Sequence, residues 1–446
     1  MLEVLADHTY RRLFAAQVVA LLGTGLATVA LSLLAYRLAG ANAGAVLGGA
    51  LAIKMAAYIG VAPVVSAYAD RLPRRAFLVS MDLVRAGVAL LLPFVDQIWQ
   101  VYVLIFLLQS ASAAFTPTFQ ATIPDILPDE KQYTRALSLS RLAYDLESLV
   151  SPVLAAALLT VIGFHWLFMG TVAGFLASAA LVVSVLLPQP QTGANRGGVY
   201  QRTTRGTRIY LKTPRLRGLL ALNLAAAAGG ALVIVNTVVY VRTLLDRPAD
   251  DVALALAAFG LGSLLTALTL PRVLDRSPDR PVMLGGAAVL VLMLAVVAVW
   301  TGTTPVDRWP ALLASWFVLG AAYSAVLTPS GRLLRRSAAP GDRPAVFAAQ
   351  FALSHVCWLL TYLIAGSLGA AVGLSWTAAA LGLTAAAGLV VAWRMWPALD
   401  PDILEHEHPE LAPDHPHLTS APAGAHGGHA HAFVIDDAHR SWPRLG

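Results

Sequence analysis

The strongest constraint on this chain is a series of apolar stretches, each about 20 residues long, broken by short polar segments. They run over 13–36, 42–67, 76–94, 99–121, 138–162, 164–187, 217–241, 252–271, 281–300, 310–329, 346–370 and 373–396. A helix of about 20 residues rises about 30 Å, enough to cross the hydrocarbon layer of a membrane. Within that layer each backbone amide must be bonded inside its own segment. The chain is therefore predicted to be an all-α integral membrane protein with twelve transmembrane helices. Composition excludes a water-soluble globular domain, since 57% of the 446 residues are hydrophobic and 13% are charged.

The second half echoes the first. Asp70-Arg71-Leu72-Pro73-Arg74-Arg75 closes one apolar stretch and opens the next, and Asp275-Arg276-Ser277-Pro278-Asp279-Arg280 does the same later. Thr116-Pro117 and Thr328-Pro329 both end apolar segments, with Pro128 and Pro340 following at the same spacing. Two six-helix bundles related by duplication predict a transporter. The expected organisation is an N-terminal half at 1–188, a basic linker at 189–216, a C-terminal half at 217–396 and a tail at 397–446.

Orientation follows from the basic residues, which stay on the cytoplasmic side of short loops. With the N-terminus inside, Arg11, Arg12, Arg74, Arg75, Lys131, Arg135, Arg272, Arg280, Arg332, Arg335 and Arg343 are cytoplasmic, together with the arginine-rich linker. Outside loops then hold only Arg37, Arg242, Arg247 and Arg308. Both termini are expected in the cytoplasm, in a multi-pass protein of the cell inner (plasma) membrane. The acidic start and the lack of a small-residue cleavage pattern predict a retained first helix. The net charge of +6 lies in membrane-flanking loops, where it serves topology and anionic lipid contact, not nucleic acid.

Twelve helices in two halves, a basic central linker and the repeated loop motif together resemble the major facilitator superfamily over residues 1 to about 396. Its loop signature is matched by Asp70, Arg71, Arg74 and Arg75, with Ser66 and Pro73 in place of two glycines. The resemblance implies that Asp70, Arg71, Arg74 and Arg75, with Asp275, Arg276 and Arg280 in the second copy, help hold a gate shut by pairing across the seam between halves, with positive-inside anchoring as the alternative for Arg74 and Arg75. Ser151-Pro152 followed by Ala155-Ala156 resembles a degraded antiporter element whose small residues let helices approach closely.

Charges inside the membrane are costly and persist mainly for function. The fifth stretch contains Arg141, Asp145 and Glu147. Arg141 and Asp145 are four apart and can pair on one helix face. Glu147 points roughly opposite, near mid-depth, as a candidate proton-loading carboxylate or as half of a fixed ion pair. Lys54 has no carboxylate beside it in sequence, so its partner comes from another helix or it lies neutral. Asp82 and Arg85 are expected to pair with the neighbouring loop motif. For His355 two readings stand, a ligand or proton carrier in the pathway and a neutral histidine bonded to a backbone carbonyl.

Eight of the eleven histidines fall after residue 405: His406, His408, His415, His417, His426, His429, His431 and His439. Histidine beside carboxylates without cysteine suits nickel, cobalt or zinc. The interleaved glycines and prolines predict a flexible ligand string. Such a tail resembles those of the nickel and cobalt resistance exporters of the superfamily.

The sequence holds no phosphate loop, no Gly-x-Ser-x-Gly elbow and no His-Glu-x-x-His pair, so an ion gradient is the expected energy source and no enzyme activity or cofactor is expected. The expectation is a monomeric, proton-coupled exporter of a divalent transition metal, nickel or cobalt first. The alternative is efflux of a drug or siderophore, with Tyr102, Phe106, Phe115, Trp316 and Tyr323 as cavity aromatics and the tail in regulation. A non-transporting metal buffer is the third reading.

Overall fold

The computed structural model describes residues 2–68, 73–188, 199–303, 308–339, 342–400, 403–406, 429–436, 439 and 441–443. The first half comprises α1 (His8–Ala39), α2 (Ala43–Tyr68), α3 (Arg74–Leu91), α4 (Ile98–Ile126), α5 (Glu130–Leu159) and α6 (His165–Val183). A linker helix, α7 (Val199–Lys212), leads to α8 (Pro214–Val239), α9 (Asp250–Leu274), α10 (Asp279–Gly302), α11 (Arg308–Leu327), the short α12 (Ser330–Arg336), α13 (Arg343–Ala371) and α14 (Leu374–Met395). Among the described residues, six long helices lie on each side of the linker, in line with the predicted count. Helix α5 stands apart in carrying Arg141, Asp145 and Glu147 in its middle turns.

Several helices start before their apolar stretches. Asp7 Oδ1 accepts from the Tyr10 amide at 2.7 Å and starts α1, and Asp129 Oδ2 accepts from the Gln132 amide at 2.9 Å and starts α5. Each cap satisfies an orphan amide of the first turn, so helix continues into the polar interface. The predicted starts at 13 and 138 mark the hydrocarbon boundary instead.

The linker is folded over α7. Arg205 grips Asp342 with Nε to Oδ1 at 2.6 Å and Nη2 to Oδ2 at 3.1 Å, and the Tyr210 hydroxyl donates to Gln350. Burial holds the Tyr210 hydroxyl well above its ordinary pKa. These contacts tie the linker to the start of α13, in the second half.

The halves meet most closely where α2 lies against α13, towards the face that the charge pattern assigns to the outside. A methyl group on Gly48 would stand 2.7 Å from both the Gly366 Cα and the Tyr362 carbonyl oxygen, so only glycine permits this approach. Asn236 of α8, fully buried, donates to the Ala365 carbonyl at 3.3 Å beside the same seam.

Two short described segments of the tail are ordered, where its glycines and prolines predict a flexible string. Residues Ile403–His406 (β1) and His429–Ala432 (β2) pair antiparallel, with His406 in register opposite His429. Leu404, Phe433 and Ile435 are buried in the main core, and the Arg215 guanidinium lies 5.1 Å from the Trp442 ring. Apolar residues inside the histidine-rich region supply enough buried area to dock it.

Candidate functional site: an intramembrane polar cluster

Polar groups from three helices of both halves converge near mid-depth. Lys54 of α2 and Glu147 of α5 interact electrostatically, without an ion pair inside 4.0 Å. The partner that Lys54 required is therefore Glu147, on another helix. Helix α1 gives way to admit the carboxylate: a methyl group on Gly25 would overlap the Ser151 side chain and stand 2.9 Å from Glu147 Oε1. The Ser151-Pro152 element thus packs tightly against α1, in line with the role its small residues implied. Ser151 Oγ is buried there with no hydrogen-bond partner among the described residues.

The second half contributes His355 of α13, whose charge environment includes Lys54. Its Nδ1 lies 2.6 Å from the Phe351 carbonyl, so the backbone reading of this histidine describes its geometry. The ring also stacks on Tyr58 of α2 at 5.3 Å between centroids. One nitrogen is fixed by the helix, and the imidazole face closes the contact between halves. Tyr58 and Tyr144 lie in the same electrostatic neighbourhood as Glu147 and Arg85. Lys54, Tyr58, Glu147 and His355 are each half-buried, so the cluster borders accessible space inside the bundle.

An aromatic stripe continues along α13. Phe351, His355, Trp358 and Tyr362 recur at helical spacing on one face. Trp358 meets Tyr362 at 5.1 Å and Tyr323 of α11 at 6.2 Å, and Tyr323 meets Phe259 of α9 at 5.5 Å. Of the five aromatics expected in a cavity, only Tyr323 belongs to this group. Trp316 is fully buried with its indole N–H on Thr237 at 2.7 Å, Phe115 lies under Arg85, Phe106 is on the exposed bundle surface, and the Tyr102 hydroxyl faces Gly49 of α2. Sequence reasoning missed Tyr58 and Trp358; their spacing from Lys54 and His355 was the available signal.

Arg74, Arg75 and Arg280 of the loop motif make their contacts within their own halves. Asp70 and Arg71 lie outside the described residues. Arg74 pairs with Asp125 at the end of α4, and Arg75 donates to the Val183 carbonyl of α6, both within the first half. Arg280 donates to the Trp396 and Trp393 carbonyls at 2.9 and 3.1 Å, within the second half. Asp275 and Arg276 are exposed. The residue that sequence reading overlooked is Asp279, 3% exposed, which accepts from Arg332 at 2.6 Å. These charges brace each half internally, because an opposite partner sits on the adjacent helix end of the same bundle.

Among the described residues, the partners of Asp82 and Arg85 lie within the first half and not in the loop motif. They pair with each other, Ser178 donates to Asp82 at 2.8 Å, and the Arg85 guanidinium is held between Phe115 and Phe175 at 4.2 and 4.5 Å. A desolvated guanidinium over aromatic faces is a stable arrangement. Helix α5 places Arg141 and Asp145, but their side chains lie outside the description.

In the tail, His439 is buried with Nδ1 at 2.8 Å from Asp436 Oδ1, and His431 contacts the His439 ring at 5.1 Å. His406 and His429 are described only as strand backbone, and His408, His415, His417 and His426 lie outside the described residues. Among the described residues no group of three His, Cys, Asp or Glu converges to hold a metal ion, in the tail or in the membrane.

The sequence profile of the Major Facilitator Superfamily matches residues 13–247 and again 219–433, once for each half. The chain belongs to the Major Facilitator Superfamily. This facilitator is 23% identical to the uncharacterized MFS-type transporter YfiS of Bacillus subtilis (strain 168) over 292 residues, 63% of this chain and 67% of that protein. It is 26% identical to macrolide efflux protein A of Streptococcus pyogenes over 153 residues, 32% of this chain and 38% of that protein. Among solved structures, a bacterial homolog of the human lysosomal transporter Spinster, inward-facing and unoccupied, superimposes with a TM-score of 0.68 at 13% identity, covering 88% of this chain and 98% of that one. A D-xylose-proton symporter superimposes with a TM-score of 0.66 at 14% identity over 88% of this chain and 98% of its own. The twelve-helix architecture of this multi-pass transporter is thus the superfamily fold.

Proposed function

We propose that this facilitator is a secondary exporter of amphipathic organic molecules, driven by protons exchanged at Glu147. The observation that carries the reading is the half-buried Lys54–Glu147 pair beside the aromatic stripe of α13. A carboxylate whose counter-charge is near but not in direct contact is held in its ionised form less firmly than one in a tight ion pair, so it can gain and lose a proton. Aromatic faces accept flat or cationic apolar cargo of many shapes. The likeness to a macrolide efflux protein supports the same substrate class.

A second reading, export of nickel, cobalt or zinc as cargo, has one observation in its favour: His431, His439 and Asp436 gather in the docked tail. Among the described residues no group of three ligands is placed to hold a metal ion, in the membrane interior or in the tail, which ranks organic cargo first.

The test is exchange in liposomes carrying an imposed pH gradient. Proton-driven movement of a macrolide or a cationic dye, lost in Glu147→Gln, supports the first reading. Gradient-dependent movement of nickel or cobalt with no organic transport replaces it with the second.

A further inference from the structure

Behind Lys54, inside the first half, lies a recess of about 30 Å³. Its polar lining comes from Thr24 and Thr28 of α1, Lys54 of α2, and Gln109 and Ser112 of α4. The three hydroxyls have already donated their protons to backbone carbonyls: Thr24 to Ala20 at 2.9 Å, Thr28 to Thr24 at 3.1 Å and Ser112 to Leu108 at 3.0 Å. What they turn towards the recess is therefore acceptor lone pairs. Gln109, 8% exposed, adds an amide whose oxygen can point the same way. The space holds about one water molecule and suits a donor, not an acceptor.

We propose that this recess is a second station for the Lys54 ammonium, which rests on Gln109, Thr28 and Ser112 when Glu147 is protonated and swings towards Glu147 when the carboxylate is ionised. The inference rests on Glu147 being the proton carrier and deepens it by naming where the counter-charge goes. Without such a station, protonating Glu147 leaves the half-buried ammonium without its counter-charge. With it, the first half keeps a satisfied cation in both states, and one proton moves on and off Glu147 with no other bond made or broken. Among the described residues, the charged and titratable groups around Glu147 are Lys54 and Tyr58 on α2, Tyr144 on α5, Arg85 on α3 with its partner Asp82, and His355 on α13 beside Lys54, while α9, which packs on α5, carries none between Asp251 and Arg272. The residues described here on α1 and α4 near the carboxylate, Gly25, Gln17 and Thr116, are uncharged.

The experiment is an infrared titration of the Glu147 carboxyl in the purified full-length protein, with the band assigned by its loss in Glu147→Gln. Gln109→Leu removes the main acceptor of the recess. It is expected to lower the midpoint by about one pH unit, tenfold in proton affinity, and to have no effect in a Lys54→Met background. Ser112→Ala should shift it the same way by less. A midpoint unmoved by Gln109→Leu, or moved equally with and without Lys54, overturns the recess while leaving Glu147 as carrier. A Glu147 carboxyl that does not titrate in wild type overturns both. Cargo transport in liposomes, read separately, tests the exporter reading alone.

Discussion

Arg74 at the first turn of α3 pairs with Asp125 near the end of α4. The second half repeats this brace with the signs exchanged: Asp279, at the first turn of α10, is gripped by Arg332 with Nε and Nη2 at 3.0 and 2.6 Å from Oδ1, and Arg336 stands 3.9 Å from Oδ2. Duplication preserved the position of the contact and not its polarity. An anion also belongs at a helix N-terminus, so the Asp279 arrangement gains from the dipole where the Arg74 one does not.

Breaking either brace leaves its more exposed partner unpaired, Asp125 in the first half and Arg332 in the second. Asp279→Asn is expected to cost about 1–2 kcal/mol, less than a fully buried pair because Arg332 is half-exposed. Arg74→Asp should reduce folded protein in the membrane, and the exchange Arg74→Asp with Asp125→Arg should restore it. Fluorescence-detected size exclusion of the three variants measures this; no recovery in the exchange would remove the pair from the account.

Glu147→Gln should abolish proton-driven export while cargo affinity stays within about threefold, 0.7 kcal/mol. Lys54→Met alone leaves the carboxylate unmatched and should be equally inactive. The double variant should express better than Lys54→Met because it buries no orphan charge. Binding by tryptophan quenching and export in liposomes separate the two effects.

Gly366→Val and Gly48→Leu should force α2 away from α13, since a first side-chain carbon already meets backbone at 2.7 Å for Gly48. Asn42→Cys, in a background with the buried Cys357 changed to Ser, should then react several-fold faster with an impermeant maleimide. Unchanged labelling would mean that the contact is not part of the outer gate.

Deleting residues 401–446 should leave organic cargo export intact and lower thermal stability. The deletion removes the Phe433 carbonyl, 3.5 Å from Arg215, and the Trp442 ring from a guanidinium that is 2% exposed. Asp400 and Ser337 remain on Arg215 at 3.3 and 2.8 Å, so the loss should be about 1–2 kcal/mol, a few degrees in Tm. Trp442→Ala alone should reproduce part of it. If cells also retain less nickel without the tail, metal binding belongs to the tail and not to the pathway.

The helices and their duplication were legible because membrane length and hydropathy are properties of local sequence. Glu147, Lys54 and His355 were legible one by one, since a charge among apolar residues stands out. Their convergence was not, because it depends on how α2, α5 and α13 lean together, which no spacing within one helix encodes. The loop arginines misled for a related reason: Arg74 and Asp125 are far apart in sequence, and nothing near either one names the other. The tail misled by composition, where Phe433, Ile435 and Trp442 outweigh the surrounding glycines once a core is present to receive them.

The contact between Gly48 and Gly366 places backbone against backbone. Such a closure has no side chains with which to recognise anything, so whatever passes it has already been chosen deeper in the bundle. On the proposed reading, discrimination among cargoes falls to the level of Lys54, Glu147 and Trp358, and substitutions that broaden or narrow the substrate range should accumulate there and leave the glycines untouched.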